Sequence, residues 1–420
     1  MLYLDGAKTN ARGPVKVKLR EQSVLRTLDD YSGSTTERRK PIIGDFSWIT
    51  SSTPLSSINL NWRERELPEK LRTKHVHRLH PYLGKYVPQL VEIFLRKFEP
   101  QTVCDPFCGS GTTLVEANSL GITSIGCDIS SFNCLLTKVK TDKYDVQRLE
   151  FEIKDILSKV VAEINREGIK KEFVEKASTP YLKEWFAPKA LFQLLLYRSF
   201  IRNYEYGDVL KIILSRAARS ARLTTHFDLD FPKKPQTRPY FCHKHQRICK
   251  PTDDALIFLS RYSIDTIKRI KEFSKLRTDA PVTIICGDSR SVDFPSFDAV
   301  VTSPPYVGLI DYHEQHRYAY ELLGLPQRRD LEIGAASNGN SRKARDAYIK
   351  GIGEVFANVR RRIRDDGVVV IVVHDKHNLF SDMANKIGFR TEDVLTRSVN
   401  RRTGRRAEDF FEQVLIWRAT

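Results

Sequence analysis

The chain has 420 residues, of which 41% are hydrophobic and 29% are charged, a composition typical of a globular protein with roughly two or three domains. It has no long apolar run and no signal-type N-terminus, so we expect neither a membrane span nor export, and a cytoplasmic location. The formal net charge of +17 indicates a polyanionic partner.

The first part of the chain is predicted to be an arm followed by a histidine-rich segment. Residues 1–45 are polar and lack hydrophobic periodicity, so we predict a flexible basic N-terminal arm. His75, His77 and His80 have no cysteine or carboxylate at ligand spacing, which favours packing or nucleic-acid contact over metal binding. An amphipathic helix is predicted from about residue 87 to residue 98.

Residues 102–113 read Thr-Val-Cys-Asp-Pro-Phe-Cys-Gly-Ser-Gly-Thr-Thr, a pattern typical of a strand, a glycine turn and a helix that begins at Thr112. Gly109 and Gly111 allow the backbone to approach a ligand closely, and Asp105 at the strand end offers a carboxylate. The next strand ends at Asp128, about 20 residues further on, the usual distance for a carboxylate that binds ribose hydroxyls. The pattern therefore predicts a nucleotide-like ligand.

From about residue 142 to residue 278, helical periodicity replaces the strand and helix alternation. We predict helices at 151–164, 180–204, 209–222 and 252–273, which together resemble an insertion more than a free domain. Within it, residues 216–250 contain nine Lys or Arg and two acidic residues, in part as an irregular basic stretch. We predict that this stretch contacts a polyanion through Arg216, Arg219, Arg222, His226, Lys233, Lys234 and Arg238.

Four potential metal ligands fall within the same stretch. Cys242, His243, His245 and Cys249 could bind zinc, but four ligands within eight residues leave little room for a tetrahedral site. We predict no metal site, and zinc bound by these four side chains stays as the alternative. The seven cysteines of the chain are expected to be reduced thiols.

The alternation resumes with a strand at 282–286, Asp288 in the following turn, and a strand at 297–301 that leads into Thr302-Ser303-Pro304-Pro305-Tyr306. The two prolines must end the strand because neither can donate a ladder hydrogen bond. The Ser303 hydroxyl and the Pro304 carbonyl then lie beside the Tyr306 ring as acceptors, an arrangement that suits a planar group with an exocyclic amine. The alternative is an ordinary turn at the end of a strand.

The last part of the chain is predicted to complete the sheet. A helix at 311–320 and a basic helix at 345–364 precede a very apolar strand at 368–373, which suits the middle of a parallel sheet. A helix at 379–386 and strands at 393–399 and 410–417 follow, and the two strands form a closing antiparallel hairpin. Its loop is predicted to contact the polyanion through Arg401, Arg402, Arg405 and Arg406.

Two of these motifs resemble those of a known family. The sequences DPFCGSGTT, from Asp105, and TSPPY, from Thr302, resemble the cofactor and catalytic motifs of the S-adenosylmethionine-dependent amino methyltransferases of DNA. The resemblance covers residues 75–129 and 282–417, and Ser303 is similar to the variant found in the cytosine-N4 enzymes. It implies an α/β, Rossmann-like methyltransferase fold with a mixed sheet, formed by residues 46–141 and 279–420, and a helical insertion at 142–278 as the target-recognition region.

The same resemblance implies the site and its ligands. S-adenosylmethionine would be bound by Asp105, Phe107, Gly109, Gly111, Thr112, Asp128, Asp288, His80 and Lys85. The catalytic turn would consist of Ser303, Pro304, Pro305 and Tyr306.

The implied activity is methylation of the N4 amine of a cytosine in duplex DNA, with the base flipped out of the helix and with a separate cognate restriction endonuclease as a partner. Adenine-N6 methylation, RNA amino methylation and a non-catalytic nucleic-acid-binding role are the alternatives. Because many relatives place the catalytic motif before the glycine motif, and this chain places it after, the position of target recognition stays open.

Overall fold

A computed structural model describes residues 44–226, 228, 232–375, 378–380, 382–399 and 410–420. Nearly all of the predicted arm at 1–45, and Arg401, Arg402, Arg405 and Arg406, lie outside the described residues, so these predictions stay predictions. Within the described ranges, no helix has both the length and the apolar character needed to cross a membrane.

The strands form one large sheet and one small hairpin. They are β1 (Thr102–Asp105), β2 (Thr123–Asp128), β3 (Tyr240–Cys242), β4 (Arg247–Cys249), β5 (Val282–Cys286), β6 (Phe297–Thr302), β7 (Ile363–Val373), β8 (Phe389–Ser398) and β9 (Phe411–Ala419). The large sheet has the order β5-β2-β1-β6-β7-β9-β8. Its first five strands are parallel, whereas β9 is antiparallel to both β7 and β8. The predicted α/β fold with a mixed sheet and a closing hairpin is therefore confirmed.

The strand order reverses between β1 and β6. The chain moves outward from β1 through β2 to β5 and then returns to the other side of β1 to form β6 and β7. Ligands of open α/β sheets bind beyond the carboxyl ends of the strands at such a reversal. The glycine turn after β1 and the proline turn after β6 consequently meet at this edge.

The helices are α1 (Glu69–Arg72), α2 (Pro88–Phe98), α3 (Thr112–Ser119), α4 (Ser131–Thr141), α5 (Val146–Glu167), α6 (Lys171–Ala177), α7 (Pro180–Trp185), α8 (Pro188–Phe200), α9 (Gly207–Ala221), α10 (Leu256–Ser274), α11 (Tyr312–Gln315), α12 (Arg317–Leu323), α13 (Arg342–Arg360) and α14 (Met383–Lys386). Short 3-10 turns occur at Leu55–Ser57, His75–Arg78, Ile201–Asn203, Arg329–Leu331 and Ala336–Asn338.

Both faces of the large sheet are buried at its centre, as the continuous apolar run of β7 predicts. Val368, Val370 and Val372 belong to one core cluster, which includes α2 side chains such as Phe94. The alternate residues Val369, Ile371 and Val373 belong to a second cluster with Phe356 of α13. This alternation follows from the two-residue period of a strand and places one helical layer on each face.

The helical segment shares a core with the rest of the chain. Side chains of α5, α8, α9 and α10 form one apolar cluster with Phe132 and Leu136 of α4 and Tyr318 of α12. Residues 43–420 correspondingly form one compact unit. The segment is therefore an integral part of the fold rather than an appended domain.

Several local predictions were wrong. The single helix predicted at 180–204 is divided into α7 and α8, because Ala187 precedes Pro188 and adopts the extended geometry that a following proline favours. The helix α4 was missed, although Ser130 caps it by accepting a hydrogen bond from the Asn133 N–H. The irregular basic stretch contains the antiparallel hairpin of β3 and β4, with Phe241 opposite Ile248.

The histidine-rich segment has a packing role. His75 and His77 are buried, and the His77 Nε2 lies 2.7 Å from Oε1 of Glu116 in α3. Lys74 donates a 2.7 Å hydrogen bond to the other oxygen of that carboxylate. The Lys74 ammonium supplies a positive charge beside Glu116, so this carboxylate takes part in an ion pair with Lys74.

Candidate functional site

A cavity opens at the sheet edge where the strand order reverses. It encloses about 830 Å³ of empty space, including the part open to solvent, which is within the usual size range of small-molecule sites. Of the predicted site residues, the following line it: Lys85, Phe107, Gly109, Thr112, Asp128, Asp288, Ser303 and Pro305. The sequence analysis did not assign the further lining residues Tyr82, Tyr86, Ser110, Ser130, Asn133, Ser289, Tyr312 and Glu332.

The glycine turn forms one side of the cavity. Gly109 and Gly111 have φ values of +49° and +77°, in the left-handed region that favours glycine. A Cβ at Gly109 would lie 2.9 Å from the Tyr82 hydroxyl oxygen, on the cavity wall, whereas a Cβ at Gly111 would lie 2.7 Å from Cγ2 of the buried Thr137. Gly109 therefore keeps the cavity open, and Gly111 allows α3 to pack closely against α4.

Asp128 presents a fixed carboxylate to the cavity. Its Oδ2 accepts a 2.8 Å hydrogen bond from the Gly109 N–H, and its Oδ1 accepts from the Ser130 N–H at 2.8 Å and from Nδ2 of Asn133 at 3.0 Å. Burial raises the pKa of Asp128, although these three donors oppose the shift. Since a carboxylate oxygen can accept more than one hydrogen bond, Oδ2 retains capacity for a ligand hydroxyl.

Asp105 does not line the cavity but lies fully buried beneath it. Its carboxylate accepts hydrogen bonds from the Thr302 hydroxyl at 2.6 Å, the Phe107 N–H at 3.1 Å and the Tyr86 hydroxyl at 3.3 Å. Burial raises the pKa of Asp105 to about 6, against the lowering effect of these bonds. Asp105 thus connects the end of β1 to the end of β6 and positions Phe107 rather than contacting a ligand directly.

We expect the stability difference between the wild-type chain and an Asp105→Asn variant to depend on pH. The pKa of Asp105 rises from its ordinary 3.8 to about 6 on folding, so between these values the folded chain binds more protons than the unfolded chain. The contribution of Asp105 to the free energy of unfolding should therefore fall as the pH rises through this window, by about 3 kcal/mol in total. Chemical denaturation of both chains from about pH 4 to pH 7 measures it, and a constant difference would contradict the shift.

Asp288 follows β5 and lines the same cavity. Arg290 donates to both of its carboxylate oxygens, with the shortest contact at 2.6 Å. Burial opposes ionisation, but the Arg290 hydrogen bonds outweigh it, so the pKa of Asp288 lies below its ordinary value. The neighbouring Ser289 donates to the Pro106 carbonyl and fastens this turn to the glycine turn.

Two stacked tyrosines form another part of the cavity wall. The rings of Tyr82 and Tyr312 have centroids 5.7 Å apart and planes inclined by 21°, and Tyr82 stacks in turn on His316. A Cβ at Gly84 would lie 2.8 Å from the Tyr312 hydroxyl oxygen. Tyr312 belongs to α11, so the segment that follows the proline turn folds back over the glycine turn.

Three buried polar atoms of lining residues have no hydrogen-bond partner among the described residues: Ser110 Oγ, Asn133 Oδ1 and Glu332 Oε2. The other oxygen of Glu332 accepts from the His313 N–H at 2.9 Å and contacts His313 Nδ1. Buried polar groups are costly unless they are paired. The cavity is therefore built for a ligand with polar groups on several sides.

The proline turn enters the cavity through Ser303 and Pro305, whereas Pro304 and Tyr306 do not line it. The Tyr306 hydroxyl donates a 3.0 Å hydrogen bond to Glu412 of β9. Glu412 also pairs with Arg397 of β8 at 3.5 Å, and the Arg397 guanidinium lies 5.4 Å from the centre of the Trp62 ring. The closing hairpin thus anchors the proline turn, a contact that the sequence analysis missed.

Lys85 and His80 differ in position. Lys85 lines the cavity and donates a 2.9 Å hydrogen bond to the His77 carbonyl, and burial lowers its pKa to about 8. His80 does not line the cavity, because it is buried against Phe132 and its Nε2 lies 3.1 Å from the Ser215 hydroxyl oxygen of α9. Its position does not support the predicted contact with a cofactor.

The predicted polyanion-binding residues divide into buried and exposed groups. Arg216 pairs with Asp265 at 2.6 Å, the Arg222 guanidinium lies 4.5 Å from the centre of the Tyr318 ring, and both arginines are buried. Their burial contradicts a direct contact with phosphate, since both guanidinium groups are used in packing. Arg219 is half-buried, and the exposed members are His226, Lys233, Lys234 and Arg238.

Comparisons with known proteins agree with this geometry. A family model described as DNA methylase matches residues 57–139. The chain is 39% identical to the type II methyltransferase M.MjaII of Methanocaldococcus jannaschii, over 83% of this chain and 81% of that protein. It is 25% identical to the type II methyltransferase M.MvaI of Kocuria varians, over 62% of this chain and 60% of that protein. A tRNA (guanine(10)-N2)-dimethyltransferase of Methanocaldococcus jannaschii is 31% identical over 32% of this chain and 38% of that protein.

Proposed function

The chain belongs to the S-adenosylmethionine-dependent DNA amino methyltransferases, and from this premise we propose that it methylates the N4 amine of cytosine in duplex DNA. The observation that carries the proposal is that Ser303 and Pro305 line the same cavity as Gly109 and Asp128. A base amine held at the proline turn would meet a cofactor held at the glycine turn within that cavity.

The lining residues fit S-adenosylmethionine, which supplies a sulfonium methyl group when it is bound. The Asp128 carboxylate is placed to accept from ribose hydroxyls, and the Asp288 carboxylate from an adenine amine. The Glu332 carboxylate offers a negative charge to the cationic part of the cofactor, and its Oε2 has no other partner among the described residues. Gly109 leaves room for the cofactor along the backbone of the turn.

The catalytic step needs orientation rather than a strong base. An exocyclic amine conjugated to its ring is a weak nucleophile, so acceptors on its hydrogens must direct the nitrogen lone pair towards the methyl group. The Ser303 hydroxyl, which lines the cavity, is the first acceptor, and the Pro304 carbonyl, beside the cavity rather than lining it, is the second. No histidine occurs among the described residues that line the cavity, which is consistent with loss of the amine proton only after the nitrogen becomes cationic.

In duplex DNA the target base is stacked and paired, so it must be flipped into the site. The Tyr306 ring, at the end of the proline turn, supports this proposal because it belongs to an aromatic group. Its centroid lies 6.2 Å from that of His374 and 6.4 Å from that of Phe410. The Glu412 hydrogen bond holds the ring in one orientation. A fixed ring is a better stacking surface than a mobile one because less conformational entropy is lost on contact.

The identity of the methylated nucleoside distinguishes between the proposed reactions. Labelled S-adenosylmethionine is incubated with duplex DNA of mixed sequence and, separately, with structured RNA, and the nucleosides are then separated. N4-methylcytosine in DNA alone is the expected result. N6-methyladenine would replace the cytosine proposal, transfer only to RNA would overturn it, and cofactor binding without a methylated product would favour a non-catalytic role.

A restriction endonuclease with the same recognition sequence is proposed as a separate partner, because the similar proteins are named type II methyltransferases. DNA methylated by this protein should resist a type II endonuclease that cuts at the methylated sequence. Full cutting of fully methylated DNA by every endonuclease of that specificity would contradict the pairing.

We expect Glu332→Gln to weaken S-adenosylmethionine binding by roughly tenfold or more, because the change removes a charge-assisted hydrogen bond while the shape is kept. Titration calorimetry measures the affinity. The matched control is Glu314→Gln, since Glu314 is an exposed acid in the same segment that does not line the cavity. Equal affinities of the two variants would contradict the role of Glu332.

A further inference from the structure

A second group of ligating side chains lies outside the cavity, at the small hairpin of β3 and β4. One ligand atom from each of His226, Cys242, His245 and Cys249 lies within 4.8 Å of all the others. None of the four residues lines the cavity. We propose that these four side chains bind one structural Zn²⁺, independently of the methyl-transfer site.

The distances between the ligand atoms fit a tetrahedral zinc site. Cys242 Sγ lies 3.6 Å from Nδ1 of both His226 and His245, and Cys249 Sγ lies 3.5 Å from Nδ1 of His245. Zinc bonds of about 2.3 Å to sulfur and about 2.0 Å to nitrogen at tetrahedral angles separate such atoms by about 3.6 Å. The side chains therefore need little movement to surround the ion.

The fold corrects the set of ligands that the sequence suggested. The His245 N–H donates to the Cys242 carbonyl at 3.1 Å, and this tight turn brings the two side chains together. His243 is instead turned towards the ring of Phe241, with centroids 5.2 Å apart. The fourth ligand is His226, which lies 16 residues before Cys242. The four ligands are therefore not crowded within eight residues.

The residues of the hairpin that the structure describes form almost no apolar core of their own. Among the described residues from 225 to 254, only Cys242 and Cys249 are buried. The cross-strand pair of Phe241 and Ile248 is 50% and 64% exposed. A hairpin with two three-residue strands is marginal in water, and segments without a sufficient core are commonly held by a metal or disulfides. Among the described residues of this segment, the two buried thiols are therefore the interior that a metal could stabilise.

The ligand types select zinc among common metals. Two thiolates and two neutral imidazoles form a Cys₂His₂ set, which is typical of closed structural zinc sites, and they cancel the charge of the ion. Binding would displace two thiol protons, and the binding energy would contribute directly to the folding of the hairpin.

Tyr240 supplies the competing interpretation. Its hydroxyl oxygen accepts a 2.9 Å hydrogen bond from the His226 N–H and lies 3.0 Å from His226 Nδ1. In a cluster held by hydrogen bonds alone, the Tyr240 hydroxyl would donate its proton to His226 Nδ1. In a zinc site, Nδ1 would bind the ion instead, and the Tyr240 hydroxyl would keep only its hydrogen bond from the His226 backbone N–H. A Tyr240→Phe variant separates the two cases, because it should keep the metal but weaken a hydrogen-bonded cluster.

The test measures zinc in the full chain, purified without a histidine tag and dialysed to remove loosely bound ions. Elemental analysis should give one zinc per chain in the wild type, Tyr240→Phe and His243→Ala. His243→Ala is the matched control, since His243 is an exposed histidine of the same turn outside the cluster. Zinc should be lost from a Cys242→Ser, Cys249→Ser double variant. Reconstitution of the chelated wild type with Co²⁺ should give the visible bands of a tetrahedral thiolate complex.

Several results would overturn the proposal. These are zinc below a tenth of an equivalent in the wild type, equal zinc in the double variant, zinc loss in Tyr240→Phe, or a Cys242–Cys249 disulfide in freshly purified protein. Cofactor binding by calorimetry shows whether the double variant is folded. If it is not, the zinc content and the cobalt spectrum of the wild type decide the question alone.

Discussion

Replacing Gly109 by alanine should weaken S-adenosylmethionine binding by about ten- to a hundred-fold. The new Cβ would lie 2.9 Å from the hydroxyl oxygen of Tyr82, which would have to move. Tyr82 forms the cavity wall together with Tyr312, so its displacement would deform the site that receives the cofactor. Titration calorimetry of the variant with S-adenosylmethionine measures the effect.

The control for this change is Gly121→Ala. Gly121 has a φ of +76°, in the same left-handed region, but nothing lies within 4 Å of a Cβ built there. The control therefore carries the backbone strain of losing such a glycine without the contact in the cavity. It should lose some stability and keep its affinity. A loss of affinity in Gly121→Ala equal to that in Gly109→Ala would show that strain, not the cavity, explains the result.

Ser303→Ala should lower kcat for methyl transfer by about a hundred- to a thousand-fold, the usual effect of removing one orienting hydrogen-bond group from an active site. S-adenosylmethionine affinity should change little, because the glycine turn and Asp128 are unaltered. Single-turnover methylation of duplex DNA with saturating cofactor measures the chemical step separately from binding.

The matched control is Ser291→Ala, an exposed serine outside the cavity, which should retain the wild-type rate. A wild-type rate in Ser303→Ala would show that the proline turn does not orient the amine. A parallel loss of cofactor affinity and rate would place Ser303 in the cofactor site instead.

Much of the fold could be predicted because most strands of the large sheet contain a short apolar run and end at turn residues. The run from Val368 to Val373 is the clearest example, since six consecutive aliphatic, mostly β-branched residues are typical of a strand that is buried on both faces. The helix α4 shows the limit of the method. Its buried face is mixed with Thr, Lys and Asn, and Lys140 is buried because its ammonium group donates to the Ser110 carbonyl.

The candidate site was predictable where a motif holds a ligand by its backbone or by the end of a strand, as at Gly109 and Asp128. It was not predictable where a side chain comes from a distant segment. Glu332 lies in a loop with no periodic pattern, and Glu412 appears as one polar residue of an edge hairpin. Periodicity reports burial within one element, whereas the partners of Glu332 and Glu412 depend on distances between elements.

The prediction that Arg216 and Arg222 contact a polyanion was wrong for the same reason, because their partners lie in other elements. Arg216 and Arg222 contributed to a basic cluster in the sequence, but Arg216 in α9 and Arg222 directly after it are buried, towards Asp265 and the Tyr318 ring respectively. A count of charges along the chain cannot separate a solvated arginine from one that stacks on an aromatic ring.

The shared core of the helical segment has an evolutionary consequence. Phe132 of α4 and Tyr318 of α12 pack in one apolar cluster with the helices of that segment, and α12 follows directly on α11, which carries Tyr312 of the cavity wall. Exchange of residues 142–278 between relatives by recombination would therefore replace one side of this packed core, the helices of the segment. The other side, formed by α4 and α12, would stay unchanged and no longer match. In relatives, residues 142–278 should therefore have changed together with the α4 and α12 residues that pack against them, rather than have been exchanged alone.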